Sequence, residues 1–188
     1  MTDINFGNIS RLEEFISRAR RIAIVTHMKP DGDAMGSCIA LYHCIGMYGS
    51  ASAKIIINDR YPDYLGFLAA EVPDSDMIVH AQLPLEAETA IKDSDLVICL
   101  DFNAFHRTDT LCTILESSKA EKILIDHHLS PDMSKFSLVF SQQDISSASE
   151  LLYHILLQLP AMQGKASRLP AEAATALMTG MTTDTNNF

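Results

Sequence analysis

Apolar positions along the chain alternate between two spacings, and that alternation predicts the order of elements. Leu12, Phe15, Ile16 and Ala19 recur at helical intervals, so Ile9 to Arg20 is expected to be a helix, with Ser10 as its cap and Glu13 completing a capping box. The run RIAIVTH follows and reads as a buried strand ending near His27. After the polar loop KPDGD, the stretch AMGSCIALYHCIGMYG is predicted to be helical and closed by Gly49. KIIIN, Lys54 to Asn58, is a further strand. From Tyr61 to Glu88 the pattern is interrupted by prolines and assigns no element. Periodicity returns with strands at Asp95–Asp101 (DLVICLD) and Lys122–His128 (KILIDHH), a short strand at Phe136–Phe140, and helices at Thr108–Ser118, Ser147–Leu159 and Ala171–Met181.

Strands alternating with helices imply an α/β fold built on a mostly parallel sheet flanked by helices. The uninterrupted apolar character of IAIV, LVICL and ILI agrees, because parallel strands are covered on both faces. At 188 residues the chain fits one domain. It shows no internal repeat.

Composition narrows the function without naming it. Apolar residues make up 47% and charged residues 20%, which suits a folded domain with a real core. The net charge of −10 and the absence of a basic stripe argue against clamping long duplex nucleic acid. The acidity has two readings, solubility or carboxylates gathered around cations, and composition does not separate them. Cys38, Cys44, Cys99 and Cys112 form no C-x-x-C pair and are expected to be free thiols of a reducing compartment. Without a signal-peptide pattern or an apolar run of ~18 residues, the expected location is cytoplasmic, with no membrane partner.

The chemistry gathers at strand ends. IAIVT runs into His27, LVICL into Asp101, and ILI into Asp126, His127 and His128. Ligands of open α/β sheets bind at the carboxyl ends of strands, so these residues are expected to meet at one edge. His27, Asp31 and Asp33 share a loop stiffened by Pro30 and loosened by Gly32. Asp33 is expected just ahead of the next helix, a cap position, and Asp184 just after the last. A mixed imidazole and carboxylate set suits Mn²⁺, Fe²⁺, Co²⁺ or Zn²⁺ better than Ca²⁺. Two cations need a bridging carboxylate, and the central Asp101 is the natural one. Such a pair generates hydroxide from water and holds phosphoryl oxygens during in-line attack, with no need of a serine or cysteine nucleophile. Neither a G-x-S-x-G elbow nor a Walker loop is present to compete. Arg107 lies near Asp101, where contact with a phosphate and pairing with a carboxylate are both open. Ser147 to Ser149 read as a helix cap, and His43, His80, His106 and His154 as core or surface residues.

Together, THMKPDGDAMGS, the aspartate of CLD, the triplet IDHH and the late TTDT resemble the four motifs of the DHH phosphoesterase family, in the family's order. The spacing H-x-x-P-D-G-D-A-x-G-S and the stretch SSASELLYHIL resemble its branch of bacterial oligoribonucleases and phosphoadenosine-phosphate phosphatases. The resemblance implies that His27, Asp31 and Asp101 bind one metal and that Asp33, Asp101, His127 and Asp184 bind the second. It implies that His128 acts catalytically on the substrate phosphate, that Asp126 supports the histidines, and that Mn²⁺ is the cation. One departure is Asn186, where the family motif D-T-G-x-F has glycine. Members of this branch carry a further C-terminal substrate-binding domain, and no such segment follows here, so residues 1–188 are expected to be the catalytic domain alone. The expected activity is metal-dependent hydrolysis of short nucleotides: oligoribonucleotides a few units long, a linear dinucleotide or phosphoadenosine phosphate. The alternatives are an inorganic pyrophosphatase or exopolyphosphatase, a single-strand DNA exonuclease, a non-catalytic nucleotide sensor, and an interaction domain with structural metals. A homodimer is left open.

Overall fold

The computed structural model describes residues 6–49 and 51–185; Asn186, the motif departure, lies outside them. Six strands form one sheet: β1 (Arg21–Val25), β2 (Ser52–Ile57), β3 (Met77–Val79), β4 (Leu96–Leu100), β5 (Glu121–Asp126) and β6 (Leu138–Ser141). Their order is β3-β2-β1-β4-β5-β6 and every pairing is parallel. Seven α-helices cover it: α1 (Phe6–Arg18), α2 (Gly32–Ile45), α3 (Gly66–Ala69), α4 (Pro84–Lys92), α5 (Leu111–Ser117), α6 (Ala148–Gln158) and α7 (Ala171–Asp184).

Because strand side chains alternate between faces, each strand feeds two cores. Ile22, Ile24, Ile98, Ile123 and Ile125 point to the side where α1, α2, α6 and α7 pack. Ala23, Val25, Val97, Cys99 and Leu124 point to the opposite side, against Ala87 and Ile91 of α4 and Leu111 and Leu115 of α5. Runs buried on both faces must be apolar throughout, which is why β1, β4 and β5 stood out in the sequence.

The chain winds outward from β1 through β2 to β3, then crosses back to β4 on the other side of β1. The direction of winding therefore reverses between β1 and β4, and the carboxyl ends of these neighbours open a crevice suited to a ligand.

Several local expectations give way. Helix α1 spans Phe6–Arg18, so Ser10 sits inside it rather than at its start. Asp31 caps α2, its Oδ1 accepting from the backbone N–H groups of Asp33 and Ala34 at 3.1 Å each, and Asp33 lies in the first turn. Asp184 is the last residue of α7 rather than a residue beyond it. The segment left unassigned holds α3, the short edge strand β3, and α4, which starts on Pro84 as its first-turn proline. Ser147 caps α6 as expected, accepting from the Glu150 N–H at 3.0 Å. Cys38, Cys44 and Cys99 are buried free thiols, and Cys112 is half-buried. No helix among the described residues is long and apolar enough to cross a membrane.

Helices α2 and α7 approach with unusual intimacy. A methyl group at Gly36 would stand 2.5 Å from the Ala176 carbonyl oxygen, and one at Gly180 would stand 2.8 Å from Asp33 Oδ1. Only glycine lets the backbones come this near. The contact draws the end of α7 over the start of α2.

Candidate metal centre

Each polar residue at the carboxyl edge is placed by the strand that precedes it. Thr26 continues β1 and its buried hydroxyl donates to the Leu100 carbonyl at 2.9 Å, tying the ends of β1 and β4 together. His27 follows; its Nδ1 is 2.8 Å from the Met28 carbonyl, which leaves Nε2 for the crevice. The Met28 N–H in turn donates to the Arg107 carbonyl at 2.8 Å, strapping this loop to the turn after β4.

Asp101 leaves β4 with φ of 63°, a left-handed conformation that aspartate tolerates better than most residues. It is almost wholly buried, and its two oxygens face different partners. Oδ2 is 3.4 Å from His27 Nε2, and Oδ1 is 3.5 Å from His127 Nε2. On the first side Asp31 Oδ1 lies 3.9 Å from His27 Nε2. On the second, His127 Nε2 is 3.5 Å from Asp184 Oδ2 and 4.0 Å from Asp33 Oδ2. Three overlapping donor groups result among the described residues: His27–Asp31–Asp101, Asp33–His127–Asp184 and Asp101–His127–His128. Donor atoms within each group lie within 4.8 Å of one another.

His128 stands at the edge of this cluster, its Nδ1 3.8 Å from Asp101 Oδ1. Its Nδ1 is 2.7 Å from Oδ1 of Asp126, a fully buried carboxylate, so Nε2 is left toward the open side. Asp126 thus orients His128. Arg107, half-buried, has no hydrogen bond or ion pair from its guanidinium among the described residues, so no carboxylate occupies it. His43, His80 and His154 are partly buried and His106 is exposed, none of them in a donor group.

The electrostatics show what the arrangement lacks. Burial, then the charge of Asp101, pushes the Asp33 carboxyl up to about 7. Burial and Asp101 likewise raise Asp184. Contact with the Asp101 carboxylate lifts His127 to about 9. For His27 burial acts downward, but Asp101 and the Met28 carbonyl outweigh it and the net shift is upward. Asp101 itself is disfavoured by burial and held low by the two imidazoles. Oδ1 of Asp101 and Oδ2 of Asp126 are buried without a hydrogen-bond partner. Carboxylates are thus crowded with too few donors, an arrangement that costs free energy unless positive charge is supplied. Divalent cations would supply it, and nitrogen and oxygen donors suit Mn²⁺, Fe²⁺, Co²⁺ or Zn²⁺.

One contact had no sequence signal. Both oxygens of Asp33 accept backbone N–H groups from the start of α6, Ala148 at 2.6 Å and Ser149 at 2.8 Å. The partners lie 115 and 116 residues away.

The profile of the DHH family, N-terminal domain, matches residues 21–181. The crystal structure of an exopolyphosphatase-related protein from Bacteroides fragilis superposes with a TM-score of 0.90 at 33% identity, covering 100% of this chain and 53% of that one. The bifunctional oligoribonuclease and PAP phosphatase NrnA of Mycoplasma genitalium is 27% identical over 185 residues, 97% of this chain and 52% of that protein. The cyclic-di-AMP phosphodiesterase GdpP of Geobacillus thermodenitrificans is 26% identical over 183 residues, 94% of this chain and 26% of that protein. The chain therefore spans about half the length of the first two proteins and about a quarter of the third.

Proposed function

The chain belongs to the DHH family, and on that premise we propose that residues 1–188 are the catalytic domain of a phosphoesterase that hydrolyses short nucleotides with the help of two divalent cations, Mn²⁺ foremost. The observation that carries this reading is the position of Asp101, whose two oxygens face His27 and His127 on opposite sides. A carboxylate so placed can belong to two cation sites at once.

On this reading His27, Asp31 and Asp101 hold one cation, and Asp33, Asp101, His127 and Asp184 hold the other. When bound, the cations supply activation of water and neutralisation of phosphoryl charge. The chain's own residues do the rest. Asp126 fixes the His128 ring, so that Nε2 meets a phosphoryl oxygen or a leaving oxygen at a defined place. Arg107, unpaired and strapped to the His27 loop through its backbone, adds a planar donor for a second phosphate oxygen. Thr26 and the left-handed turn at Asp101 hold the crevice open at fixed width.

The likeness to NrnA and GdpP supports short oligoribonucleotides, phosphoadenosine phosphate or a linear dinucleotide as substrates, reached with a further substrate-binding domain such as the notably longer relatives have room for. The likeness to an exopolyphosphatase-related protein keeps pyrophosphate and polyphosphate as the second reading. The test is hydrolysis with Mn²⁺ across short RNA oligomers, phosphoadenosine phosphate, linear and cyclic dinucleotides, and pyrophosphate. Release from one class, abolished by chelator and by Asp101→Ala, is expected. Nucleotide binding with no release of phosphate or mononucleotide, in this chain and in a version carrying the further domain, would move the protein to the class of sensors.

A further inference from the structure

We propose that the N-terminus of α6 is a built-in holder for Asp33, and that the amides of Ala148 and Ser149 are positioning groups for the second cation site. The inference rests on reading Asp33, His127 and Asp184 as that site.

Asp33 sits in the first turn of α2 with its carboxylate buried between α2, α6 and α7. The Ala148 N–H donates to Oδ2 at 2.6 Å and the Ser149 N–H to Oδ1 at 2.8 Å, so both oxygens are gripped from one side. Each carboxylate oxygen carries two lone pairs, so the two amides do not exhaust what the carboxylate can accept. The free side of Oδ2 is the side of His127, whose Nε2 is 4.0 Å away. Gly180 leaves the room for the contact, since a side chain there would enter the space of Asp33 Oδ1 and of the Ser149 hydroxyl.

Helix α6 already has its own cap. Ser147 Oγ accepts the Glu150 N–H, and the Glu150 carboxylate accepts from the N–H of Ser146, the residue before the cap, at 2.9 Å. The first two amides of the helix are thereby left to Asp33. They also carry the positive end of the helix dipole, which favours an ionised carboxylate. Outer partners of this kind set the orientation of a metal-binding side chain.

The backbone offers a way to break one of these contacts. Ala148 is the first residue of α6, where proline is best tolerated, and Ser147 before it is extended at φ −160° and ψ 160°, as a residue preceding proline should be. Ala148→Pro therefore keeps the helix while it removes the N–H that grips Oδ2 and sets a ring carbon in the place of the hydrogen, so Asp33 loses the donor and is pushed from its position. The experiment is titration of the metal-free protein with Mn²⁺ alone, followed calorimetrically and by loss of the free-ion paramagnetic resonance signal, with circular dichroism to check the fold. We expect the second ion to bind about 10–100-fold more weakly, the usual cost of losing such a partner, and the first ion to bind as in wild type.

If Ala148→Pro is folded and binds both ions with wild-type affinities, losing only thermal stability, then Asp33 is a plain cap of α6 and the proposal falls. Should the proline variant fail to fold, a backbone ester at residue 148, made with the α-hydroxy analogue of alanine, removes the same N–H and decides by the same readout. A wild-type protein that takes up only one ion would instead overturn the second-site reading on which the proposal stands.

Discussion

Replacing Gly36 by alanine tests whether close helix packing builds the cation centre. The new methyl would stand 2.5 Å from the Ala176 carbonyl oxygen, 3.0 Å from the Gly180 nitrogen and 3.2 Å from the Gly180 Cα. All three are backbone atoms, so no rotamer change relieves the overlap. Ordinary contact begins at 3.4 Å, and α2 and α7 must therefore part by about an ångström. Overpacking of this kind costs about 1–3 kcal/mol, and alanine's better helix propensity returns about 1 kcal/mol. The net loss of stability is about 0–2 kcal/mol, a fall of a few degrees in Tm for a chain of this length. The effect on the centre should be far larger. Asp33 rides on α2 and Asp184 on α7, whereas ligand positions must hold to within about 0.2 Å. Calorimetric titration with Mn²⁺ should show the second ion weakened by about tenfold or more and the first little changed. Gly46→Ala is the matched control: Gly46 is helical at φ −53° with nothing within 4 Å of the added methyl. It should be neutral or stabilising by about 0.4–1 kcal/mol. A folded Gly36→Ala protein that binds two ions like wild type would refute the argument.

Other outcomes follow from the same geometry. Asp101→Ala should abolish both high-affinity Mn²⁺ sites, and retention of either at wild-type strength would remove Asp101 from its bridging role. His128→Ala should leave Mn²⁺ stoichiometry at two while lowering kcat by about 10²–10⁴-fold, the range for a lost acid–base group; loss of an ion would mean that His128 is a ligand. Saturating Mn²⁺ should raise stability by about 2.7 kcal/mol for each site held at a hundredfold excess over its Kd, read as an upward shift of Tm that a chelator reverses. Backbone N–H groups of Arg20 and Arg21 bond the exposed Asp95 carboxylate and hold its pKa below the usual value of 3.8. A depressed pKa stabilises the fold above the unfolded value and loses that effect as pH falls through the folded one. Asp95→Asn should therefore lower the urea midpoint at pH 7, and the gap from wild type should close as pH falls below 3.8 and through the lowered folded value.

The cation centre was legible in sequence because its residues stand directly after strands that are buried on both faces. IAIV, LVICL and ILI are too continuously apolar to be anything else, and the polar residue ending each run marks the sheet edge. Other features left weaker marks. β3 is three residues long and only its central Ile78 is fully buried, so neither alternation nor a long apolar run announced it. α4 did carry a signal, a proline at its first turn followed by helix-forming residues, which the surrounding prolines obscured. Gly36 and Gly180 stood within helical patterns, where an isolated glycine often marks close packing, but nothing in the sequence says which helix each one meets. The grip of α6 on Asp33 spans more than a hundred residues and uses backbone atoms, which any sequence supplies equally.

The contact between α2 and α7 joins the first motif of the chain to its last. On the proposed assignment, the first cation needs only residues up to Asp101, whereas the second waits for Asp184. A nascent chain leaving the ribosome would then lack part of the second position until α7 emerges and docks on α2. On that assignment the second position is the last part of the centre to be completed as the domain is synthesised.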